Sequence, residues 1–229
     1  MLKKERQQKI LDIIKEKQYA SVSTLSKLLY ASLPTIRRDL TELQKDGLIT
    51  RSHGGAMILS DGSYQIPLDF RTGRNTHEKI EMCRKAAKLI SDGDVIFIDA
   101  STSTMHIADF ITAKNITVIT NGMPVAILLA KKNIKTYFIG GEVFPQSLGC
   151  GGIISEDIVS KFNYNLVFFS SYGINERGIV VDTSFAETAL RKEVFKTCSK
   201  KVFLHTKDKE GLNAPYNLIN VKDIDYIIN

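Results

Sequence analysis

The chain has 229 residues, of which 43% are hydrophobic and 24% are charged, as is ordinary for a soluble globular protein. No apolar run approaches the roughly 20 residues that span a bilayer, and the N-terminus M-L-K-K-E-R-Q-Q-K lacks the apolar core of a signal peptide. We therefore expect a cytoplasmic protein. The three cysteines (Cys83, Cys150 and Cys198) are far apart and form no C-x-x-C pair, so neither a disulfide framework nor a zinc site is indicated. We expect neither a metal nor a cofactor.

The net charge of +6 is concentrated at the N-terminus. Residues 1–58 contain 11 Lys/Arg against 6 Asp/Glu, whereas the remaining residues contain 20 against 19. A basic segment attached to a nearly neutral body predicts a polyanionic partner for that segment alone. The alternative is a chance asymmetry of charge.

The basic segment has the pattern of a helix-turn-helix. Apolar spacing predicts helices over residues 5–17, 21–30 and 32–45. In the third helix, Ser32 is suited to cap the N-terminus and Pro34 is tolerated in the first turn. Two short helices with a tight connection, the second basic near its start, are typical of DNA-binding proteins.

Two β-prone runs then flank Gly54 and Gly55, which predicts a two-stranded hairpin. Three helices and a hairpin make a winged helix-turn-helix. Arg37 and Arg38 lie off the apolar stripe of the third helix. We expect these two arginines, supported by Thr35, to contact DNA at a guanine edge or a phosphate. A second set of residues is expected to contact the DNA backbone: Ser32, Lys45, Arg51 and His53. The alternative is a solvated basic face.

The remainder of the chain predicts a second domain. Residues 59–76 contain turn formers and a proline without any period, so they read as a linker between domains at 1–58 and 77–229. From His77 onward, strand-like and helix-like segments alternate. This α/β pattern predicts a mostly parallel, Rossmann-like sheet with helices on both faces. Ligands bind at the carboxyl ends of such strands.

Polar residues follow the first predicted strand of this domain. Asp99 begins a run that continues to Thr104 and that we expect to open a helix. Hydroxyls and free N–H groups there would suit a phosphate. The run also contains Ser101, Thr102 and Ser103, and a simple N-cap is the equally weighted alternative.

Later strand ends supply further candidates. Asn121 follows one strand, and the glycines that follow others are Gly140, Gly141 and Gly173; a tight turn explains such glycines equally well. On a later helix lie Glu187, Arg191 and Lys192, where surface salt-bridging is the alternative.

The motifs together resemble a known family. E-R-Q-Q-K-I-L, T-I-R-R-D-L and the R-S-H-G-G-A that follows G-L-I make residues 5–57 similar to the N-terminal domain of DeoR-family bacterial regulators, although that family usually has a glycine and a valine at Tyr30-Ala31. From residue 78 the chain resembles the DeoR sensor domain, which is similar to ribose-5-phosphate isomerase. The resemblance implies that residues 99–104 hold a phosphate. It places the following around the sugar: Asn121, Gly140, Gly141, Gly173, Glu187 and Lys209.

The chain departs from that pattern at several positions. Ser101 replaces a glycine, Tyr172 and Asn175 stand where carboxylates are usual, Arg191 replaces a lysine and Thr206 replaces an aspartate. Sugar isomerisation needs a carboxylate base, so these replacements argue against catalysis and we expect no catalytic residues.

The sequence thus predicts a sequence-specific regulator that binds double-stranded DNA, a repressor of a carbohydrate-metabolism operon. It would be controlled by a sugar-phosphate effector in the C-terminal domain and would form a dimer or tetramer. Two alternatives stay open: an isomerase-like enzyme fused to a DNA-binding module, and a regulator whose sensor domain no longer binds ligand.

Overall fold

A computed structural model describes residues 2–17, 19–46, 48–52, 54–57, 75–145 and 147–229. The chain divides into two compact units, Met1–Ile66 and Pro67–Asn229. Most of the predicted linker, and His53 and Gly47, lie outside the described residues. None of the helices in the described part of the chain has the length and apolarity that crossing a membrane requires.

The described part of the first unit contains three helices and three short strands. In chain order these are α1 (Lys3–Lys17), β1 (Tyr19–Ser21), α2 (Val22–Leu29), α3 (Leu33–Lys45), β2 (Thr50–Ser52) and β3 (Gly55–Met57). The helices pack around a core of buried aliphatic residues that includes Ile10, Ile14, Leu25, Ile36 and Leu40. The predicted helices are confirmed, since each one agrees with an observed helix to within a few residues.

The small sheet differs from the predicted two-stranded hairpin. It has three antiparallel strands in the order β1-β3-β2, with Ala20 opposite Ala56 and Arg51 also opposite Ala56. Gly55 lies so close to β1 that a Cβ atom there would come within 2.2 Å of the Tyr19 hydroxyl oxygen. Strand β1 escapes sequence reasoning because three residues are too few to show a period.

Both helix-turn-helix elements begin with a serine cap. Ser21 Oγ accepts from Thr24 N at 2.9 Å and Ser32 Oγ accepts from Thr35 N at 3.4 Å, as predicted for Ser32. Helix α2 ends at Tyr30, whose backbone is left-handed at φ +50°. An L-residue with a Cβ adopts that conformation at a cost, which is the physical reason for a glycine at such a turn.

The second unit is built on a six-stranded sheet. Its elements begin with α4 (Thr76–Ala87), β4 (Val95–Ile98), α5 (Ile107–Phe110), β5 (Thr117–Thr120), α6 (Met123–Lys131), β6 (Lys135–Phe138), β7 (Glu142–Phe144), β8 (Gly149–Gly151) and α7 (Ile153–Val159). They continue with β9 (Tyr164–Phe169), β10 (Gly173–Ile174), β11 (Ile179–Asp182), α8 (Phe185–Phe195), β12 (Cys198–Leu204), β13 (Tyr216–Asn220) and β14 (Tyr226–Ile228). The predicted strand–helix alternation is confirmed.

The large sheet is parallel throughout, in the order β14-β12-β9-β4-β5-β6. Ile96 and Ile98 of the central strand β4 pack into one core, whereas Phe97 between them packs into the other. Both faces of the sheet are therefore covered, as the apolar strand sequences predict. A hairpin of β7 and β8 and a sheet of order β10-β11-β13 complete the unit.

Candidate functional site

Helix α3 presents a basic surface. Arg37, Arg38 and Lys45 are exposed, on the side of the helix opposite the buried Ile36 and Leu40. This is the arrangement that the apolar stripe of the sequence predicts.

The other predicted contact residues of this surface lie next to α3. Arg51 Nη1 donates to Thr41 Oγ1 at 2.7 Å, and Thr41 Oγ1 donates to the backbone oxygen of Arg37 at 2.8 Å. Strand β2 therefore places the Arg51 guanidinium against α3, next to Thr41. The hydroxyls of Ser32 and Thr35 are 2.8 Å apart at the N-terminus of α3. Position 53 is not among the described residues.

An ion pair that the sequence analysis missed attaches α3 to α1. Asp39 is fully buried and accepts from Arg6 Nε at 2.5 Å and Arg6 Nη2 at 3.2 Å. Glu42 on the next turn accepts from Gln7 Nε2 at 2.8 Å and pairs with Lys3 at 2.6 Å. The available signal was an aspartate three residues after Ile36, on the buried stripe, where a carboxylate needs a partner.

In the second unit, the loop that follows β4 differs from the prediction. Residues 102–106 form turns, and helix α5 has only four residues and begins at Ile107. Thr104 Oγ1 donates to the backbone oxygens of Asp99 and Ser101, and Ser103 N donates to Ser101 Oγ. The expectation that residues 99–104 open a helix is therefore wrong, whereas phosphate binding by this loop stays a prediction. These short hydroxyl side chains hydrogen-bond the local backbone in a non-helical conformation.

The same loop contacts a buried lysine that the sequence analysis did not select. Lys79 on α4 donates through Nζ to Thr102 Oγ1 at 3.1 Å, and both residues are buried. Ser103 Oγ is also buried and has no hydrogen-bond partner among the described residues. The loop thus combines a cation with hydroxyl groups, a donor set that suits an oxyanion.

A buried ion-pair network lies behind this loop. Arg191 of α8 donates through Nε to Asp99 Oδ2 at 3.0 Å and through Nη1 to Asp182 Oδ2 at 2.8 Å. Its Nη2 is 3.7 Å from Glu187 Oε2, and Glu187 Oε1 accepts from Ser147 Oγ at 2.9 Å. Surface salt-bridging is therefore the wrong interpretation for Glu187 and Arg191. Lys192 is exposed on the same helix, so the structure does not bring it into this network.

The network has three carboxylates around one guanidinium, and its electrostatics follow from burial. Loss of solvent raises the pKa of Asp99 and of Glu187, and the neighbouring acids add to this effect. Burial opposes the charge of Arg191, but the three carboxylates outweigh it and raise the pKa of the guanidinium. Asp99 Oδ1 is buried without a hydrogen-bond partner in the described part of the chain.

Asn121 connects neighbouring strand ends. It is fully buried, accepts from Ala100 N at 2.8 Å through Oδ1, and donates to the backbone oxygen of Cys150 at 3.2 Å. The amide therefore holds the loop after β4 against the hairpin of β7 and β8.

The predicted glycines pack against the protein itself. A Cβ at Gly141 (φ +111°) would lie 2.2 Å from Ser155 Oγ, and a Cβ at Gly173 would lie 2.6 Å from Leu212 Cβ. The residue before the first of these, Gly140, also has a positive φ of +65°. The positive φ values of Gly140 and Gly141 agree with the turn interpretation, whereas Gly173 lies in strand β10, where its close packing leaves no room for a side chain.

A second strand-end loop follows β12. Lys209, in a 3₁₀ turn at Lys207–Lys209, donates through Nζ to Ser170 Oγ at 3.0 Å and to the backbone oxygen of Ser171 at 2.7 Å, just after β9. Thr206 and Asn175, which replace family carboxylates, serve local turns. Thr206 donates to Asp208, and Asn175 Oδ1 accepts from two backbone N–H groups.

A winged helix with an arginine-bearing third helix, joined to a parallel α/β domain with polar strand-end loops, defines a regulator with a DNA-binding and a ligand-sensing domain. Residues 6–61 match the model of the DeoR-like helix-turn-helix domain, and residues 74–229 match that of the DeoR C terminal sensor domain. The chain belongs to the DeoR family of transcriptional regulators.

Named relatives are similar over nearly the whole chain. The uncharacterized HTH-type transcriptional regulator YulB of Bacillus subtilis is 31% identical over 100% of this chain and 89% of its own. The glycerol-3-phosphate regulon repressor of Escherichia coli is 29% identical over 99% and 90%. The lactose phosphotransferase system repressor of Staphylococcus aureus is 32% identical over 90% and 84%. These relatives are regulators, so the chain is a regulator and not an enzyme.

Among solved structures, ribose 5-phosphate isomerase from Plasmodium falciparum matches 58% of this chain and 52% of its own, with 10% identity and a TM-score of 0.43.

Proposed function

We propose that this protein is a sequence-specific repressor of a carbohydrate-metabolism operon and that a phosphorylated sugar bound to its C-terminal domain controls it. The observation that carries the proposal is the pair of exposed arginines on α3. The ion pair of Arg6 with Asp39 holds this helix against α1. The names of the relatives that repress glycerol-3-phosphate and lactose phosphotransferase genes support a carbohydrate target. A cytoplasmic location is part of the proposal, because its partner is operator DNA.

In this proposal, α3 lies in the major groove. Bases or phosphates are contacted by Arg37 and Arg38, next to Thr35. The DNA backbone is contacted by a second set: Ser32, Lys45, Arg51 and His53. A single winged helix covers only a short site, so useful affinity requires repeated half-sites and a homo-oligomer, a dimer or a tetramer.

The effector is proposed to bind at the strand-end loops of the second unit. Ser101, Thr102, Ser103 and the neighbouring Lys79 offer hydroxyl and ammonium groups to a phosphate, and Lys209 offers a second cation.

The remaining predicted effector residues are assigned a supporting role. Arg191 pairs with Asp99 and Glu187, and Asn121 holds the loop after β4, so these residues shape the proposed effector site. The same role is assigned to Thr104, Gly140, Gly141 and Gly173. Lys192 is withdrawn from the set because it is exposed. Effector and DNA would each favour one of two states of the oligomer.

A DNA-binding titration tests the proposal. The full chain is titrated on its own upstream DNA and on unrelated DNA at about 150 mM salt, because affinities without a salt concentration are uninterpretable. Each titration is repeated with glycerol 3-phosphate, ribose 5-phosphate, glucose 6-phosphate and fructose 6-phosphate. We expect preference for the upstream DNA and a change of affinity with one phosphate ester. Equal binding to both DNAs, with a steep salt dependence alone, would refute a specific regulator.

A second candidate is a regulator whose C-terminal domain only assembles the oligomer. The observation that favours it is the mutual pairing of Asp99, Arg191 and Glu187, which leaves these groups engaged within the protein. A ligand present at 100 times its dissociation constant stabilises a protein by about 2.7 kcal/mol. Upward shifts of Tm with one of the esters support the sensor, whereas no shift with any of them supports the scaffold.

A further inference from the structure

Helix α4 lies directly against the loop that follows β4. Lys79 Nζ donates to Thr102 Oγ1 at 3.1 Å, and Cys83 Sγ, four residues later on the same face of the helix, donates to the backbone oxygen of Ser103 at 3.1 Å. All four residues are buried. Burial raises the pKa of the Cys83 thiol to about 12, so the thiol keeps the proton that it donates. The loop is therefore hydrogen-bonded to two successive turns of the helix.

The start of the same helix contacts the second strand-end loop. Asn75 Nδ2 donates to Asp208 Oδ1 at 3.2 Å, and Asp208 also accepts from Thr206 at the end of this loop. The next residue, Lys209, is the one that donates to Ser170 and Ser171. The loop after β4 and the loop after β12 are thus both hydrogen-bonded to residues 75–83, at the start of α4.

The position of this helix in the chain gives these contacts a consequence. Asn75 is the N-cap of α4 and directly follows residues 58–74, through which the chain runs on from the DNA-binding unit. We propose that residues 75–83 are the coupling element, which converts occupancy of the strand-end loops into a change at the point where the connection to the DNA-binding unit begins. This inference rests on the proposed effector site.

The physical basis is a shared set of hydrogen-bonding groups. Thr102 Oγ1 accepts from Lys79 Nζ and can itself donate, so an anion that accepts from this hydroxyl or from the ammonium uses the groups that form this bond and changes its geometry. The loop then packs against α4 in a different position, and the helix shifts as a rigid element. Coupling between two ligands of one protein typically changes affinity by about 5- to 150-fold, and it is reciprocal.

The test compares matched variants of the full chain. Asn75→Gly removes the amide and keeps the left-handed backbone, since φ is +50°; Asn133→Gly, at φ +56° and exposed, is the same change elsewhere. Thr102→Val removes the acceptor for Lys79, whereas Thr102→Ser retains a hydroxyl. Fluorescence anisotropy gives the ratio of DNA Kd values with and without each of the four phosphate esters named above, and calorimetry gives the ester affinity.

We expect wild type and Asn133→Gly to share one coupling ratio, and Thr102→Ser, which retains an acceptor for Lys79, to lie closer to that ratio than Thr102→Val does. Asn75→Gly and Thr102→Val should bring the ratio close to 1, with Asn75→Gly still binding the ester as wild type does. A wild-type ratio in both of these variants would overturn the inference.

Hydrogen exchange separates this inference from the proposed function. If no ester alters DNA binding by the wild type, the proposed effector class fails. The coupling element is then tested without ester, by amide exchange and DNA affinity. Faster amide exchange in residues 76–82 of Asn75→Gly and Thr102→Val, together with altered DNA affinity, supports the element. Exchange and DNA affinity equal to those of Asn133→Gly would refute it.

Discussion

Arg191 Nε donates to Asp99 Oδ2 over 3.0 Å, and this buried pair joins the end of the central strand β4 to α8. Asp182 at the end of β11 and Glu187 on α8 share the same guanidinium. One cation therefore pairs with acids from three elements. The next residue of the helix, Lys192, is exposed. This contrast provides a matched pair of substitutions.

Arg191→Met should destabilise the protein strongly. The change leaves buried carboxylates without their cation, and breaking a buried pair in this way costs about 3–5 kcal/mol. Urea unfolding of the full chain, followed by circular dichroism, measures the change. Lys192→Met removes the same charge type one residue later and should change the free energy of unfolding by no more than about 0.5 kcal/mol. Similar losses in the two variants would contradict the role assigned to the network.

The network should also make stability depend on pH. Burial raises the pKa of Asp99 and of Glu187 in the folded protein above the ordinary values of about 3.9 and 4.3. At pH values between the ordinary and the raised pKa values, the folded state therefore binds more protons than the unfolded state does. Consequently the stability contributed by these groups is present at low pH and is lost as pH rises through the raised pKa values.

Glu187→Gln tests this sign. The amide retains an oxygen that accepts from Ser147 Oγ but cannot ionise, so the fall in stability as pH rises above the ordinary glutamate pKa of about 4.3 should be smaller than in wild type. Urea midpoints at a series of pH values measure it. Glu176→Gln, at an exposed position, should keep the wild-type slope. An unchanged slope in Glu187→Gln would show that this carboxyl group contributes nothing to the pH dependence.

Local patterns in the sequence predicted much of this fold. The serine cap at Ser32, the apolar stripe of α3 and the parallel alternation from residue 77 all depend on residues close together in the chain, and all are observed, with α4 beginning at Thr76. Spacing carried no signal for contacts between distant residues. Arg6 and Asp39 are 33 positions apart, and Asp99 and Arg191 are 92 apart.

The loop after β4 shows a different reason for failure. Its serines and threonines suit a helix cap, but within residues 99–104 they hydrogen-bond one another's backbone and delay the helix to Ile107. The cation that reaches this loop, Lys79, comes from a preceding helix whose lysines look alike in sequence. Only the packing of α4 distinguishes it from the exposed lysines of the same segment.

Arg6→Met should destabilise the DNA-binding unit. Asp39 is fully buried and Arg6 donates two hydrogen bonds to it, so the substitution leaves an unpaired buried carboxylate at a cost of about 3–5 kcal/mol. Lys9→Met on the same helix breaks only an exposed pair with Glu5 and should cost about 0.5 kcal/mol or less. Thermal unfolding and DNA binding are measured together. DNA affinity retained in Arg6→Met would contradict a role of this pair in holding α3.

Tyr30→Gly should stabilise the protein by up to about 1 kcal/mol. The left-handed conformation costs a non-glycine residue about 1–2 kcal/mol, and the greater freedom of glycine in the unfolded chain offsets part of the gain. Tyr30 is 97% exposed, so little packing is lost. Tyr30→Ala keeps a Cβ atom and should give no such gain. Equal stabilisation by alanine and glycine would show that backbone strain is not the cause.

The basic surface of α3 should separate specificity from affinity. Arg37→Ala combined with Arg38→Ala should remove the preference for the protein's own upstream DNA, since a bidentate base contact contributes about 1–3 kcal/mol of discrimination. Lys45→Ala should weaken binding to both DNAs alike and reduce the slope of log K against log salt by about 1. Titrations at several salt concentrations measure both quantities. Lys161→Ala, an exposed lysine of the second unit, is the control and should behave as wild type. A double arginine variant that keeps the wild-type preference would show that α3 does not read the operator through these residues.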